Sequence, residues 1–352
     1  MKTILEYIWI FDNNATNFYT KTKVLTSTHT PPPIDSIPRI HCTKKITKAT
    51  QDKQLYELVP AFVCCNPFSG RDNSFIVYCD AVVVNLTENT SRASSQPNLM
   101  FSKNERDMAN LPISKLLRNF TLENSSALAD LSMQISFKQE YYLLIRDKLK
   151  YPSKYNPTGQ YGNDISARHF EFCLDAGINI MGFTSRDGPG QWSFEIGKPA
   201  DAADFIGVCD QLMTSRYILH KICALAGVKL SFDVKPYGDL PSSVCSMEIS
   251  VHGMRVNDTN RSFSDINGLL QLLGSSHHEF VKICGYDAHK HMVDNYKEFK
   301  YGTSVNSEDG CVKIPYLTSK YKQGKIVDKR LCSDINPYEI CRFYVDKIIG
   351  CH

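Results

Sequence analysis

Alternating apolar and polar positions dominate the first 85 residues. Short strands are expected at 5–11, 19–26, 55–63 and 74–85, broken by turn-forming residues, with Tyr7–Phe11 read as a buried strand that runs into an Asn-rich turn. Pro31-Pro32-Pro33 fixes an extended, non-helical connection among them. The stretch Asn85–Ser102 is dense in Asn, Thr and Ser and reads as a linker, and a short helix is expected near 112–120. Beyond about residue 130 strands alternate with longer helices. A strand is expected over 132–144. A helix follows over 164–176, with Asp164 as its N-cap and Gly177 as its stop. Ile206, Leu212, Tyr217, Leu219 and Ile222 fall near helical spacing within 202–226, which ends at Gly227. Strands are expected at 228–234 and 244–251, and a single helix over 263–284. The sequence has no internal repeat. The pattern predicts an α+β protein, with a small β-rich domain over 1–104 (linker included) and a larger one over 105–352.

Composition narrows the function classes. The chain has 352 residues, 42% of them hydrophobic and 22% charged, so it has material for a core and lacks the signature of disorder. Forty Lys and Arg against 37 Asp and Glu leave a net charge of +3, with no excess pointing to nucleic acid or anionic lipid. Thirteen cysteines form an odd set with no C-x-x-C spacing, so free thiols are expected rather than a zinc ribbon or a disulfide lattice. The opening MKTILEYIWIF is interrupted by Glu6 and lacks a cleavage site, and no run nears the ~18 apolar residues of a membrane span. A cytoplasmic protein with reduced thiols is the expectation. The sequons at Asn14, Asn85, Asn89, Asn119, Asn124, Asn257 and Asn260 matter only on a secretory route.

Several clusters carry candidate chemistry. His277-His278-Glu279, with His289 and His291, offers metal-ligand types, but no motif fixes their geometry and ordinary surface histidines are expected. Gly188-Pro189-Gly190-Gln191-Trp192 reads first as a turn. The basic stretch Lys320–Arg330 reads as a solvated face, and Gly159-Gln160-Tyr161-Gly162 lacks phosphate-loop spacing. Asp201 and Asp204 stand where a helix N-terminus attracts acids.

The ordered motifs say more. Glu6-Tyr7-Ile8-Trp9-Ile10, the LVPAFVCCNPF and IVYCD stretches, Phe137-Lys138-Gln139-Glu140-Tyr141, CLDAGINIMG, Pro189-Gly190-Gln191-Trp192, FDVKP and DKRLCSDINPY follow one another in the order and spacing of glutamine synthetase. The chain resembles the compact eukaryotic type of that family from Glu6 to Tyr338. The resemblance implies an N-terminal β-grasp domain and a C-terminal domain whose curved antiparallel sheet lines a funnel. In that family ATP activates glutamate to a γ-glutamyl phosphate, which ammonia attacks. Divalent ions held chiefly by glutamates neutralise the phosphates.

Carried over position by position, the resemblance also implies that this funnel has lost its ligands. The family's E-Q-E-Y stands here as Lys138-Gln139-Glu140-Tyr141, leaving Glu140 as the retained carboxylate. Arg186 stands six residues before the motif Trp192, and Ser193 directly after it, where the family has glutamates. Ser246 takes the place of a metal-binding His, and E-D-R-R has become Val327-Asp328-Lys329-Arg330. The family's flap motif has no counterpart around His289–Lys300. Its ammonium-site Asp loop is replaced near Cys42-Thr43-Lys44-Lys45, and phosphate-binding arginines near Asn306 and Lys313. A unit positive charge ~4 Å from a divalent ion opposes it by several kcal/mol even at an effective dielectric near 20, so Lys138 and Arg186 count against any bound metal. The expected protein is not an enzyme: it uses no cofactor or metal, and Lys138 and Arg186 form salt bridges with Glu140 or Asp187. Its expected role is structural, as a self-associating ring-type homo-oligomer of up to ten subunits that contacts neither nucleic acid nor membrane. The alternatives are a regulatory module that joins an active synthetase or another protein, and an enzyme of altered chemistry.

Overall fold

The computed structural model describes residues 2–11, 16–26, 31–45, 53–84, 111–144, 161–197, 204–236, 241–284, 298–303 and 310–350. The chain divides into two compact units, one of Met1–Asn13 with Asn17–Phe120 and one of Asn14–Thr16 with Thr121–His352. The expected linker over 85–102 lies outside the described residues.

The first unit is a mixed five-stranded sheet of β-grasp type. Its strands are β1 (Lys2–Trp9), β2 (Tyr19–Thr26), β3 (Ile40–Lys45), β4 (Lys53–Cys65) and β5 (Ser74–Val83), in the order β2-β1-β5-β4-β3. β1 and β5 run parallel at the centre, and the other pairs are antiparallel. Strand period two sends Leu5, Tyr7, Trp9, Phe75, Val77 and Cys79 to one buried face, where Leu58 and Ile40 join them. The sheet curls: Lys21 Nζ on edge strand β2 donates to the His41 carbonyl on edge strand β3, at 3.4 Å. The helix α1 (Ile113–Glu123) places Arg118 Nε 3.2 Å from the buried Asp80 carboxylate of β5. β3 was not among the expected strands, because its His-Cys-Thr-Lys-Lys sequence is mostly polar.

The second unit contains α2 (Ser125–Leu131), β6 (Gln134–Leu144), α3 (Asn163–Asp175), β7 (Ile180–Ser185), β8 (Gln191–Ile196), α4 (Phe205–Ala226), β9 (Lys229–Ser231) and β10 (Val244–Ser250). It continues through α5 (Thr259–Ser275), α6 (His277–Ile283), β11 (Tyr301–Thr303), β12 (Val312–Ile314), α7 (Tyr316–Tyr321), β13 (Ile326–Cys332) and α8 (Pro337–Ile349). Its sheet has the order β11-β12-β13-β10-β6-β8-β7, with β9 also paired to β6, and is antiparallel except at β11–β12. The α+β class expected from the pattern is therefore the observed one.

Local chemistry explains most boundaries. Asp204 caps α4 by accepting from Gly207 N at 2.8 Å, and Gly227 closes it with φ 70°. α3 departs from expectation. Its cap is Gly162 with φ 88° and no side-chain bond, and Asp164 sits one position inside the first turn, where an acid favours the helix dipole. The single helix expected over 263–284 is two, α5 and α6, broken at Ser276 (φ −98°, ψ 12°). No helix among the described residues is long and apolar enough to cross a membrane.

Candidate functional site

Strand β6 organises the site. Its odd positions, Ile135, Phe137, Gln139, Tyr141 and Leu143, are buried against the helices. There Gln139 Oε1 accepts from the fully buried Arg216 of α4, at 3.0 Å from Nε and 2.5 Å from Nη2, and Tyr141 donates to Ser166 of α3 at 2.9 Å. Its even positions, Ser136, Lys138, Glu140 and Tyr142, occupy the opposite face. Cross-strand register adds their neighbours: Ser246 lies opposite Lys138 and Glu248 opposite Ser136 on β10, while Ser193 lies opposite Glu140 and Glu195 opposite Lys138 on β8. Val327 of β13 is opposite Glu248, and Lys329 follows two residues on. Register thus gathers Lys138, Glu140, Ser193, Ser246 and Val327 on one face, with Lys313 of β12 opposite Val327, and Arg186, just past β7, reaches the same face through Glu140; Cys42–Lys45 lies instead on β3 of the first unit.

The charges on that face are paired. Arg186 Nε lies 2.9 Å from Glu140 Oε1, an ion pair in which the N–H is not aligned as a hydrogen bond. The other oxygen, Oε2, accepts from Val244 N at 3.1 Å and from Gln191 Nε2 at 3.3 Å. Burial raises the Glu140 carboxyl above its ordinary value, and Arg186, the Val244 amide and Lys138 oppose that rise. Lys138 pairs with Glu195 at 3.0 Å, not with Glu140 or Asp187 as anticipated, because Glu195 is its direct partner in the register. Lys325 pairs with Glu248, which also accepts from Ser136 Oγ at 3.0 Å. Beside this last pair a cavity of about 350 Å³ opens between β6, β10 and α7, lined by Ser136, Glu248, Ser250, Arg255, Tyr321 and Lys325 among others.

The hairpin between β7 and β8 fixes Arg186 and Gln191. Gln191 N donates to the Gly188 carbonyl at 2.9 Å, so the Gly-Pro-Gly segment is the turn its sequence suggests. Gly190 has φ 71°, and a Cβ there would stand 2.6 Å from the Leu143 carbonyl oxygen; only glycine fits.

Two expectations about charged residues are corrected. Arg330 is not part of a solvated face. It is fully buried, clamps Asp328 at 2.6–3.1 Å through Nε and Nη2, and lies 3.9 Å from the Phe280 ring centroid, while Tyr344 donates to the same carboxylate at 2.6 Å. His277 is not a surface histidine. It is 4% exposed with Nδ1 3.2 Å from Arg330 Nη1, whereas His278 is exposed. His289, His291, Asn306, Asp201, Gly159 and Gln160 lie outside the described residues. Among the described residues no group of three or more His, Cys, Asp or Glu is placed to hold a metal ion.

The sequence reading missed the two arginine clusters, Arg216 with Gln139 and Arg330 with Asp328. A signal was available: each motif arginine or glutamine alternates with a site-facing neighbour, and parity along β6 and β13 assigns it to the core.

No family model matches the chain. The chain is similar to the glutamine synthetase of Candida glabrata, 27% identical with 99% of this chain and 89% of that protein covered. It is similar to a cytosolic glutamine synthetase isozyme of Pinus sylvestris, at 26% identity with 99% and 94% covered. It is likewise similar to the cytosolic isozyme 1-4 of Arabidopsis thaliana, at 26% identity with 98% and 94% covered. Along nearly its whole length, then, the chain's homologues are glutamine synthetases, and this similarity supports a place for it in that family.

Proposed function

We propose that this chain is a non-catalytic member of the glutamine synthetase family, kept for the assembly its fold can build and not for chemistry. One observation carries the reading: on these strands the core face keeps the family's motif residues, and the departures Lys138, Ser193, Ser246 and Val327 all fall on the site face, where Glu140 and Gln191 are retained among them. On β13 Asp328 and Arg330 keep the motif and are fully buried, while Val327 and Lys329 depart from it and are half-buried. On β6 Gln139 and Tyr141 keep it in the core, while Lys138 departs on the open face. A fold retained inside and altered at its site is what loss of catalysis under continued selection for structure leaves behind.

The donor set supports the same reading. The divalent ions that the family implies need several hard oxygen ligands with uncompensated charge. Here Glu140 is engaged by Arg186, Gln191 and the Val244 amide, and Glu195 and Glu248 are each paired to a lysine. These residues do not fit such an ion. Ring assembly rests on the family likeness and on a small N-terminal sheet that gains by docking its edge strands on a neighbour.

The test is a γ-glutamyl transfer assay on the purified chain, run beside light scattering. No turnover, with a species of five or ten subunits, is the expected result. Turnover would remove the non-catalytic reading, and a stable monomer at micromolar concentration would remove the assembly reading.

A further inference from the structure

Cys209 on α4 and Cys341 on α8 meet in the core of the second unit, with their Sγ atoms 3.4 Å apart. Both are buried, at 0% and 1% exposure, and 132 positions separate them in the chain. The contact is held in place by its surroundings. Tyr338, one turn before Cys341, donates to the carboxylate of Asp210, the residue after Cys209, at 2.5 Å, and Asn336 caps the start of α8 by accepting from Tyr338 N at 3.1 Å. The two helices are therefore fixed at the very turns that carry the thiols.

We propose that Cys209 and Cys341 form an oxidation-sensitive fastening between α4 and α8, independent of whatever chemistry the sheet face has kept or lost. A disulfide needs its sulfurs ~2.05 Å apart, so the pair must close by roughly 1.4 Å, a distance that rotation of two unbranched side chains can supply. The co-reactant is a small-molecule disulfide. One thiolate attacks it, forming a mixed disulfide and releasing one small thiol. The second thiolate then attacks the protein sulfur of that intermediate and releases the other. Two electrons and two protons pass from the cysteines to the reagent, one S–S bond is broken and one is formed.

Other buried thiols are differently engaged. Cys332 donates to the Cys284 carbonyl at 3.5 Å, Cys311 donates to the Lys300 carbonyl at 3.2 Å, and Cys173 sits 3.3 Å from His169 Nε2. Burial also sets the timing. A reagent reaches Cys209 and Cys341 only when α8 lifts from α4, so a folded, reduced chain stays reduced until it opens. Closing so long a loop constrains the unfolded chain strongly, which makes the oxidised form the more stable one.

The experiment treats the full chain with oxidised glutathione, with and without about 2 M urea to promote opening. Denaturing alkylation, intact mass and peptide mapping follow. Two alkylation sites should disappear, fastest with urea, and a peptide linking Cys209 to Cys341 should be recovered. The melting temperature should rise by roughly 5 °C or more and return with dithiothreitol. Cys209→Ser should lose both the linked peptide and the rise. Both thiols remaining alkylatable in the oxidised wild type, or linkage of either to a different cysteine, overturns the proposal without recourse to a variant. So does an unchanged stability gain in Cys209→Ser.

Discussion

Arg186 and Glu140 stand 2.9 Å apart but live in different media: the arginine side chain is 36% exposed and the carboxylate 6%. The pair is therefore asymmetric. Arg186 gives up little hydration to reach the contact, whereas Glu140, already desolvated, depends on the cation, the Val244 amide and Gln191 to stay charged.

Removing the cation should expose that dependence. Arg186→Ala is expected to cost about 1–2 kcal/mol in urea unfolding at pH 7, reduced from the value for a fully buried pair because the arginine is partly solvated. Glu140 then loses the charge that opposes its raised pKa, so its folded form binds a proton more readily. The cost should shrink as the pH falls toward the carboxylate range. A loss independent of pH would place the arginine's contribution in packing instead.

The clamp between Asp328 and Arg330 should behave quite differently. Both side chains are fully buried, and Asp328 also accepts from Tyr344. Arg330→Met strands a buried carboxylate and should cost roughly 3–5 kcal/mol, while Tyr344→Phe, which removes one of several donors, should cost about 1–2 kcal/mol. Equal effects from the two variants would contradict the hierarchy.

A pH dependence follows from α8. Burial lifts the Glu339 carboxyl to about 7. The folded state thus holds a proton that the unfolded chain, with an ordinary carboxylate near 4.3, has released. Stability contributed by this group is complete at low pH and declines as the pH rises through the window from about 4.3 to about 7. His169 and His220, whose burial lowers their values to about 4, act in the opposite sense, because the unfolded chain takes up protons that they refuse. The informative quantity is therefore the difference between wild type and Glu339→Gln. The variant should gain relative stability between pH 5 and pH 8, read from urea midpoints. A constant difference across that range would mean that Glu339 is not protonated in the fold.

How much of this was legible in the sequence differs by element. β5 was readable from its long apolar run, and the exposed β2 from its Thr, Val and Tyr content and the turn residues that flank it. β7, β8, β11 and β12 were not, because strands of three to six residues leave too little alternation and Gly188-Pro189-Gly190 drew attention to the turn alone. The break at Ser276 was hidden because apolar residues at helical spacing continue from Leu269 through Phe280. At the site, the motifs located Lys138, Arg186, Ser193, Ser246 and Val327; the register brings the four strand residues to one face, and Arg186 joins them through its ion pair with Glu140. The partner of Lys138 was not legible, since Glu195 becomes its neighbour only once β6 pairs with β8. Arg330 was read from its basic company, but one-residue parity decides its environment.

Metal dependence offers the sharpest experiment on the altered face. In the wild type, the pairs Arg186–Glu140 and Lys138–Glu195 neutralise the carboxylates a cation would need, so calorimetry with Mn²⁺ should detect no micromolar site. The double variant K138E/R186E removes both positive charges and adds two carboxylates beside Glu140 and Glu195. Like charges at short range and an unpaired buried Glu140 should lower its melting temperature in metal-free buffer relative to wild type. The same crowding is the precondition for a divalent site, and an ion that binds only the folded chain stabilises it by mass action. The variant's melting temperature should therefore climb with added Mn²⁺ while that of the wild type stays flat. Ser193, Ser246 and Val327 still withhold ligands, so the climb should need roughly millimolar metal, not micromolar. The same climb with a monovalent salt at equal ionic strength would reduce the effect to screening. A wild type stabilised by micromolar Mn²⁺ would show that the paired carboxylates open to the ion, and would undo the reading of this face as emptied of metal.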